Sequence, residues 1–225
     1  MRSFLKLFAV WAEHGGGVTL WGMSHRHIIT HICISGFTQH RGYMHGILRL
    51  REELISAGHA SGPLRRVWYL NWKANWKQVA ADLVSVAVMR GVRPVVTVAG
   101  YSYGGFGALQ LCGALQSHGI EVQVLTLSDP VGRRWWWPRP LPAITSMLSR
   151  DMAFTLPVPA NVKLLNVYYQ RRNRPQGHRL RLEGETLRGV YKELELTHAR
   201  MDDAPEFHQC VMSAANAVQA EVCGA

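Results

Sequence analysis

Short apolar runs alternate with longer stretches of helical period along most of this chain. Residues 28–35 are apolar and β-branched and end at Gly36, which predicts a strand buried on both faces. Over residues 43–57 the period changes. Leu48, Leu50, Leu54 and Ile55 make one apolar face, Arg51, Glu52 and Glu53 lie between them, and Gly58 supplies a stop. That pattern predicts a helix. The alternation then continues with a short strand at 67–70 after the turn-like Ser61-Gly62-Pro63, and a helix at 76–89 closed by Gly91. A strand at 95–99, a helix at 104–118 stopped by Gly119, and strands at 122–127 and 162–169 follow. Residues 191–196 alternate and predict the last strand, and 205–222 the last helix, with Pro205 in its first turn.

Strands joined by helices imply a parallel sheet, because parallel neighbours need crossover connections. The fold class expected is therefore α/β, a mostly parallel sheet with helices on both faces. The length, 225 residues, fits one domain. One segment breaks the rhythm. Residues 130–160 are rich in proline and tryptophan without a clear period, too long for an ordinary connection, and are read as a lid or cap excursion.

Composition narrows the class. Hydrophobic residues make up 48% and charged residues 18%, enough for a buried core and contrary to disorder. The formal net charge of +10 suits an anionic substrate, an anionic membrane surface or nucleic acid as well as a merely basic surface. No zinc-finger spacing, basic helix with heptads or RNA-binding strand signature accompanies it, so no nucleic-acid partner is expected. Cys33, Cys112, Cys210 and Cys223 are scattered without a Cys-x-x-Cys pair. Cys33 and Cys112 fall in apolar elements and read as buried free thiols, which fits a reducing, cytoplasmic setting. The apolar start, residues 1–12, is interrupted by Lys6 and lacks a small-residue cleavage site before Glu13. It is read as a mature helix or arm, with secretion the lesser alternative. No uncharged apolar run of about 18 residues is present to span a membrane.

The sharpest local signal is Gly100-Tyr101-Ser102-Tyr103-Gly104, a Gly-x-Ser-x-Gly motif between a predicted strand and a predicted helix. A serine on a sharp strand-to-helix turn is strained, and side chains two positions either side would collide, so glycine is needed there. With this motif in this context, the chain resembles the α/β-hydrolase superfamily, lipase- or esterase-like, over about residues 28–222. The resemblance implies Ser102 as nucleophile, followed in chain order by an acid and a histidine.

Asp129 stands in Leu127-Ser128-Asp129-Pro130, at a strand's carboxyl end, where open parallel sheets place ligand-binding residues. Many superfamily members carry the acid one strand later. Here that strand ends Tyr169-Gln170-Arg171-Arg172-Asn173-Arg174, without a carboxylate. Asp129 is thus the expected acid, with Asp151 a distant competitor. Of the 11 histidines, His198 follows the last predicted strand, where the resemblance places the base. Asp202 and Asp203 read as helix-capping residues. Oxyanion donors are expected from the backbone of Tyr103 and, in the loop after the first strand, of Phe37, with Thr38 the alternative.

Trp135, Trp136 and Trp137, amid Arg133, Arg134 and Arg139, follow the acid closely. They suit a lid shaping an acyl pocket, an anionic membrane contact, or plain hydrophobic cover. The prolines favour lid or cover over an amphipathic membrane helix. His25, His27, His31, His40 and His45 cluster early, but no acidic or cysteine ligand recurs beside them, so no metal is expected, and no cofactor. The function expected is hydrolysis of a small-molecule or lipid-like carboxylic ester through Ser102, His198 and Asp129. Peripheral contact with anionic membrane is a secondary expectation. The alternatives are a thioesterase or amidase using the same triad, or a binding protein on a hydrolase scaffold.

Overall fold

The computed structural model describes residues 26–37, 39, 42–132 and 155–224. In chain order these form β1 (His27–Ser35), α1 (Gly46–Ser56), β2 (Arg65–Asn71), α2 (Trp76–Arg90), β3 (Arg93–Tyr101), α3 (Tyr103–Gln116) and β4 (Val122–Ser128). Then come β5 (Thr155–Val158), β6 (Val162–Tyr169), β7 (Arg179–Leu182), β8 (Leu187–Glu193), a 3-10 turn (His198–Asp203) and α4 (Pro205–Gly224). Six strands make one sheet in the order β2-β1-β3-β4-β6-β8, and every pairing in it is parallel. The α/β class and the parallel sheet expected from the alternating pattern are what the structure has.

Strand alternation divides the core into two layers. Ile32 and Ile34 of β1, with Val96 and Val98 of β3, pack against Leu83, Ala108, Leu111 and Leu115 of α2 and α3. Cys33, Ala99 and Tyr101 point the other way, into a cluster with Leu50 and Leu54 of α1 and Phe207 and Val211 of α4. Helices therefore cover both faces, and the strand residues are apolar on both sides because neither side meets water. Cys33 and Cys112 are buried free thiols, each pushed up to about 12 chiefly by burial.

Two elements differ from expectation. The last strand lies at 187–193 instead of 191–196, and all seven of its residues are exposed. An edge strand without a buried face carries no reliable alternation, so the apolar pair Leu194 and Leu196 misplaced it. Residues 155–158, read as part of the irregular excursion, form β5, which pairs in parallel with β7 as a separate two-stranded sheet. Leu156 and Val158 are completely buried in the α3 layer. Residues 1–12, His25, Thr38, His40, Trp135, Trp136, Trp137 and Asp151 lie outside the described residues.

The strand order turns at β1, whose two neighbours are β2 and β3. From there the chain builds outward in both directions, which opens a crevice above the carboxyl ends of β1 and β3. The residues that follow those two strands are Gly36-Phe37 and Ser102.

Candidate active site

Ser102 sits where β3 breaks into α3, with φ 53° and ψ −124°. A non-glycine residue there costs about 1–3 kcal/mol and persists only where its surroundings impose it. They do. Its N–H donates to the Ser128 carbonyl at 3.0 Å, and its own carbonyl accepts from Gly105 at 2.9 Å and Val131 at 3.0 Å. The motif's spacing has its steric cause in view. A Cβ on Gly100 would lie 2.7 Å from the Gly104 carbonyl oxygen, and one on Gly104 would lie 2.5 Å from that of Ser35. Ala108, Leu111, Cys112 and Leu115 anchor the helix that follows, all fully buried.

Asp129 follows β4, fully buried, with φ 45° and its N–H donating to the Tyr168 carbonyl at 2.7 Å. Its Oδ1 accepts from the backbone of Gly177 at 2.7 Å and of Gln170 at 3.4 Å. Its Oδ2 accepts from Gln170 Nε2 at 3.0 Å and lies 2.5 Å from His198 Nδ1. Four donors for the four lone-pair directions of a carboxylate make burial of the charge tolerable.

His198 opens the 3-10 turn, and its Nε2 is 2.8 Å from Ser102 Oγ. Because an ionised Asp129 can only accept, Nδ1 must donate, which leaves Nε2 as the acceptor for the serine proton. Both backbone groups of His198 are held: its N–H donates to Asn173 Oδ1 at 2.7 Å, and its carbonyl accepts from Tyr101 Oη at 2.8 Å. Burial first, then the carboxylates of Asp202 and Asp129, raise the Tyr101 phenol well above its ordinary value, so it stays a donor. The turn is pinned again by Ser128 Oγ on the Met201 carbonyl at 2.7 Å. Asp202 does cap a helix, but not the one after it. Its carboxylate accepts from the Gly46 N–H of α1 at 2.8 Å and from Gln39 Nε2 at 2.5 Å. Burial raises its pKa, opposed by the Gln39 bond.

Ser102, His198 and Asp129, separated by up to 96 positions, are thus one hydrogen-bonded chain. Tyr103 is the first residue of α3, and Phe37 stands beside it, ring centroids 6.2 Å apart. The loop bearing Phe37 touches the elbow: a Cβ on Gly36 would be 3.2 Å from Ser102 Cβ. Trp72, which sequence reasoning passed over, completes an aromatic group at 5.3 Å from Phe37 and 5.4 Å from Tyr103. Its position just past β2 was the available signal, since β1, β2 and β3 end at one side. Gln170 and Asn173 were also missed. The lack of a carboxylate after β6 hid the fact that this loop grips both Asp129 and His198.

The early histidines hold other places. His31 Nδ1 is 2.7 Å from Thr97 Oγ1, and its ring meets that of His59 edge-on at 5.0 Å. His45 caps α1 through Leu48 N–H at 3.4 Å. Among the described residues, no three His, Cys, Asp or Glu side chains are grouped to hold a metal. No helix among them is long and apolar enough to cross a membrane.

No protein-family model matches the chain, and no curated protein matches it. Solved structures do. Est1E from Butyrivibrio proteoclasticus is 12% identical, with 90% of this chain and 91% of that one covered and a TM-score of 0.41. ClbQ from the colibactin NRPS/PKS pathway is 11% identical, with 86% and 98% covered and a TM-score of 0.41. The peroxisomal α/β-hydrolase Lpx1 from Saccharomyces cerevisiae is 12% identical, with 90% and 80% covered and a TM-score of 0.38. Each is a likeness of architecture alone.

Proposed function

We propose that this chain is a serine hydrolase that cleaves a carboxylic ester through an acyl-enzyme. The observation that carries the reading is the Asp129–His198–Ser102 chain of hydrogen bonds, at 2.5 and 2.8 Å, ending on a serine held at positive φ. Ser102 Oγ attacks the ester carbonyl as its proton passes to His198 Nε2. Asp129 keeps the ring in the tautomer that can accept that proton and stabilises the imidazolium formed. The tetrahedral oxyanion takes backbone N–H bonds from Tyr103 and Phe37. As it collapses, the alkoxide leaves with the proton from His198. Water, deprotonated by His198, then attacks the acyl carbon, and Ser102 recovers its proton. These steps use side chains and backbone amides of this chain and one water.

The aromatic group of Phe37, Trp72 and Tyr103 favours an apolar acyl or alkyl part, since an apolar wall gains by covering methylenes. The substrate class is a small-molecule or lipid-like ester. Trp135, Trp136 and Trp137 are proposed to add to that wall as a lid, with peripheral contact on anionic membrane as their other role.

A fluorophosphonate probe tests the reading. Wild type should become covalently modified at Ser102 and hydrolyse short esters. Ser102→Ala should lose both while keeping its circular dichroism and thermal transition. Absence of labelling in the native protein, or turnover in Ser102→Ala well above that of His198→Ala, defeats it.

A further inference from the structure

The loop after β6 converges on the catalytic chain from outside it, and Gln170 is its centre. This side chain is 1% exposed. Its Nε2 donates toward three oxygens: Asp129 Oδ2 at 3.0 Å, the Asn173 carbonyl at 2.9 Å and the Pro175 carbonyl at 2.9 Å. Its Oε1 accepts from the Asn173 N–H at 3.0 Å. The orientation of the amide is therefore determined. Flipped, it would set an oxygen against three acceptors and an NH₂ against a donor. A carboxylate in its place would meet the same three acceptors and could stay only by taking up a proton.

The same loop holds the base. Asn173 fixes the His198 backbone through its Oδ1, and Gly177 donates to the other oxygen of Asp129. We propose that Gln170 is a positioning residue for this hydrolase: it aims Asp129 Oδ2 at His198 Nδ1 while adding no charge, and through Asn173 it couples the acid's orientation to the base's. The proposal rests on the serine-hydrolase reading above. It also gives the missing carboxylate after β6 a chemical sense. With the acid supplied by β4, the β6 position must be a neutral donor, because two carboxyl groups at 3.0 Å cannot both ionise without strong repulsion.

Two variants separate positioning from mere support of the loop. Gln170→Leu removes the donor to Asp129. Hydrogen bonds to charged groups carry about 10–100-fold in equilibrium or rate, so kcat per fluorophosphonate-titrated site should fall by that factor. KM for a short soluble ester should stay within about twofold. Gln170→Glu keeps the shape and adds a titratable group beside Asp129. The other titrating groups near this point are Tyr101 of β3, which bonds the His198 carbonyl, His178 before β7, which lies near Asp129, and Asp202 in the 3-10 turn. They are unchanged by the substitution. Held protonated by its three acceptor neighbours, the new carboxyl has one O–H where the amide has an NH₂, and as pH rises it ionises against Asp129; kcat/KM should therefore fall at high pH where that of wild type does not, and the NMR titration of the His198 ring should become biphasic. The ring titration is read without turnover, so it judges Gln170 even if the ester reading fails the labelling test. Superimposed titrations of wild type and Gln170→Glu overturn the proposal, as does a per-site kcat in Gln170→Leu within about twofold of wild type.

Discussion

Asp129→Asn should cost about 10⁴-fold in kcat/KM, and the geometry says why. In the native site Oδ1 receives two backbone donors, from Gly177 at 2.7 Å and Gln170 at 3.4 Å. Oδ2 receives Gln170 Nε2 at 3.0 Å and His198 Nδ1 at 2.5 Å. Asparagine has one acceptor oxygen and one NH₂. Backbone N–H groups cannot turn away, so the oxygen must stay on the Gly177 side and the NH₂ must take the Oδ2 position. There it faces two donors. His198 can relieve its clash only by moving its proton to Nε2, which makes Nδ1 an acceptor. That same shift turns Nε2 into a donor toward Ser102 Oγ and removes the general base. The wrong tautomer costs near 10⁴-fold in an analogous triad, or about 5 kcal/mol at 1.36 kcal/mol per decade. The fold should survive, because Gln170 Nε2 keeps its bonds to the Asn173 and Pro175 carbonyls. The assay is hydrolysis of a short chromogenic ester across pH 6–9, normalised to folded protein, beside Asp151→Asn. Retention of activity within about tenfold of wild type in Asp129→Asn would refute the assignment, most directly if Asp151→Asn were the damaging change.

Two further outcomes follow. Burial, then the neighbouring His59, lowers the His31 pKa to about 3 in the fold, whereas an unfolded imidazole titrates near 6.5. Its neutral-state stabilisation is thus complete above about pH 6.5 and is lost as pH falls toward 3, by up to about 5 kcal/mol. Urea midpoints should drop over that window in wild type and drop less in His31→Asn; equal slopes would reject the role of this histidine. For the tryptophans, replacing Trp135, Trp136 and Trp137 together by alanine should penalise long-chain esters more than short ones, at about 0.8 kcal/mol per methylene left uncovered. Docking on membrane instead predicts unchanged chain-length preference and weaker, salt-sensitive binding to anionic vesicles. No change in either measurement leaves hydrophobic cover as their role.

Much of the site was legible because its constraints are local. The collision that requires glycine at position 100 is with the Gly104 carbonyl, within one turn of backbone, so the elbow and Ser102 appear in the sequence itself, whereas glycine at 104 answers to the Ile34 and Ser35 carbonyls of β1. The buried strands β1, β3, β4 and β6 were equally plain, since elements apolar on both faces need no knowledge of their neighbours. Asp129 could be read from its place at a strand end, and His198 from its place after the last strand, although that strand was drawn several residues late. What the chain alone could not decide is how segments far apart meet. The β5–β7 pairing joins two four-residue strands across an intervening strand and loop, too short for either to declare itself. Asp202 caps α1 from 156 positions away, a bond that no local capping rule anticipates. Gln170 shows the same limit at the site. As a residue type it is an ordinary polar side chain at a strand end. Only the approach of Asp129, Asn173 and Pro175 around it gives its amide one orientation, because hydrogen-bond roles are set by the atoms that surround a group in space and not by its neighbours in the chain.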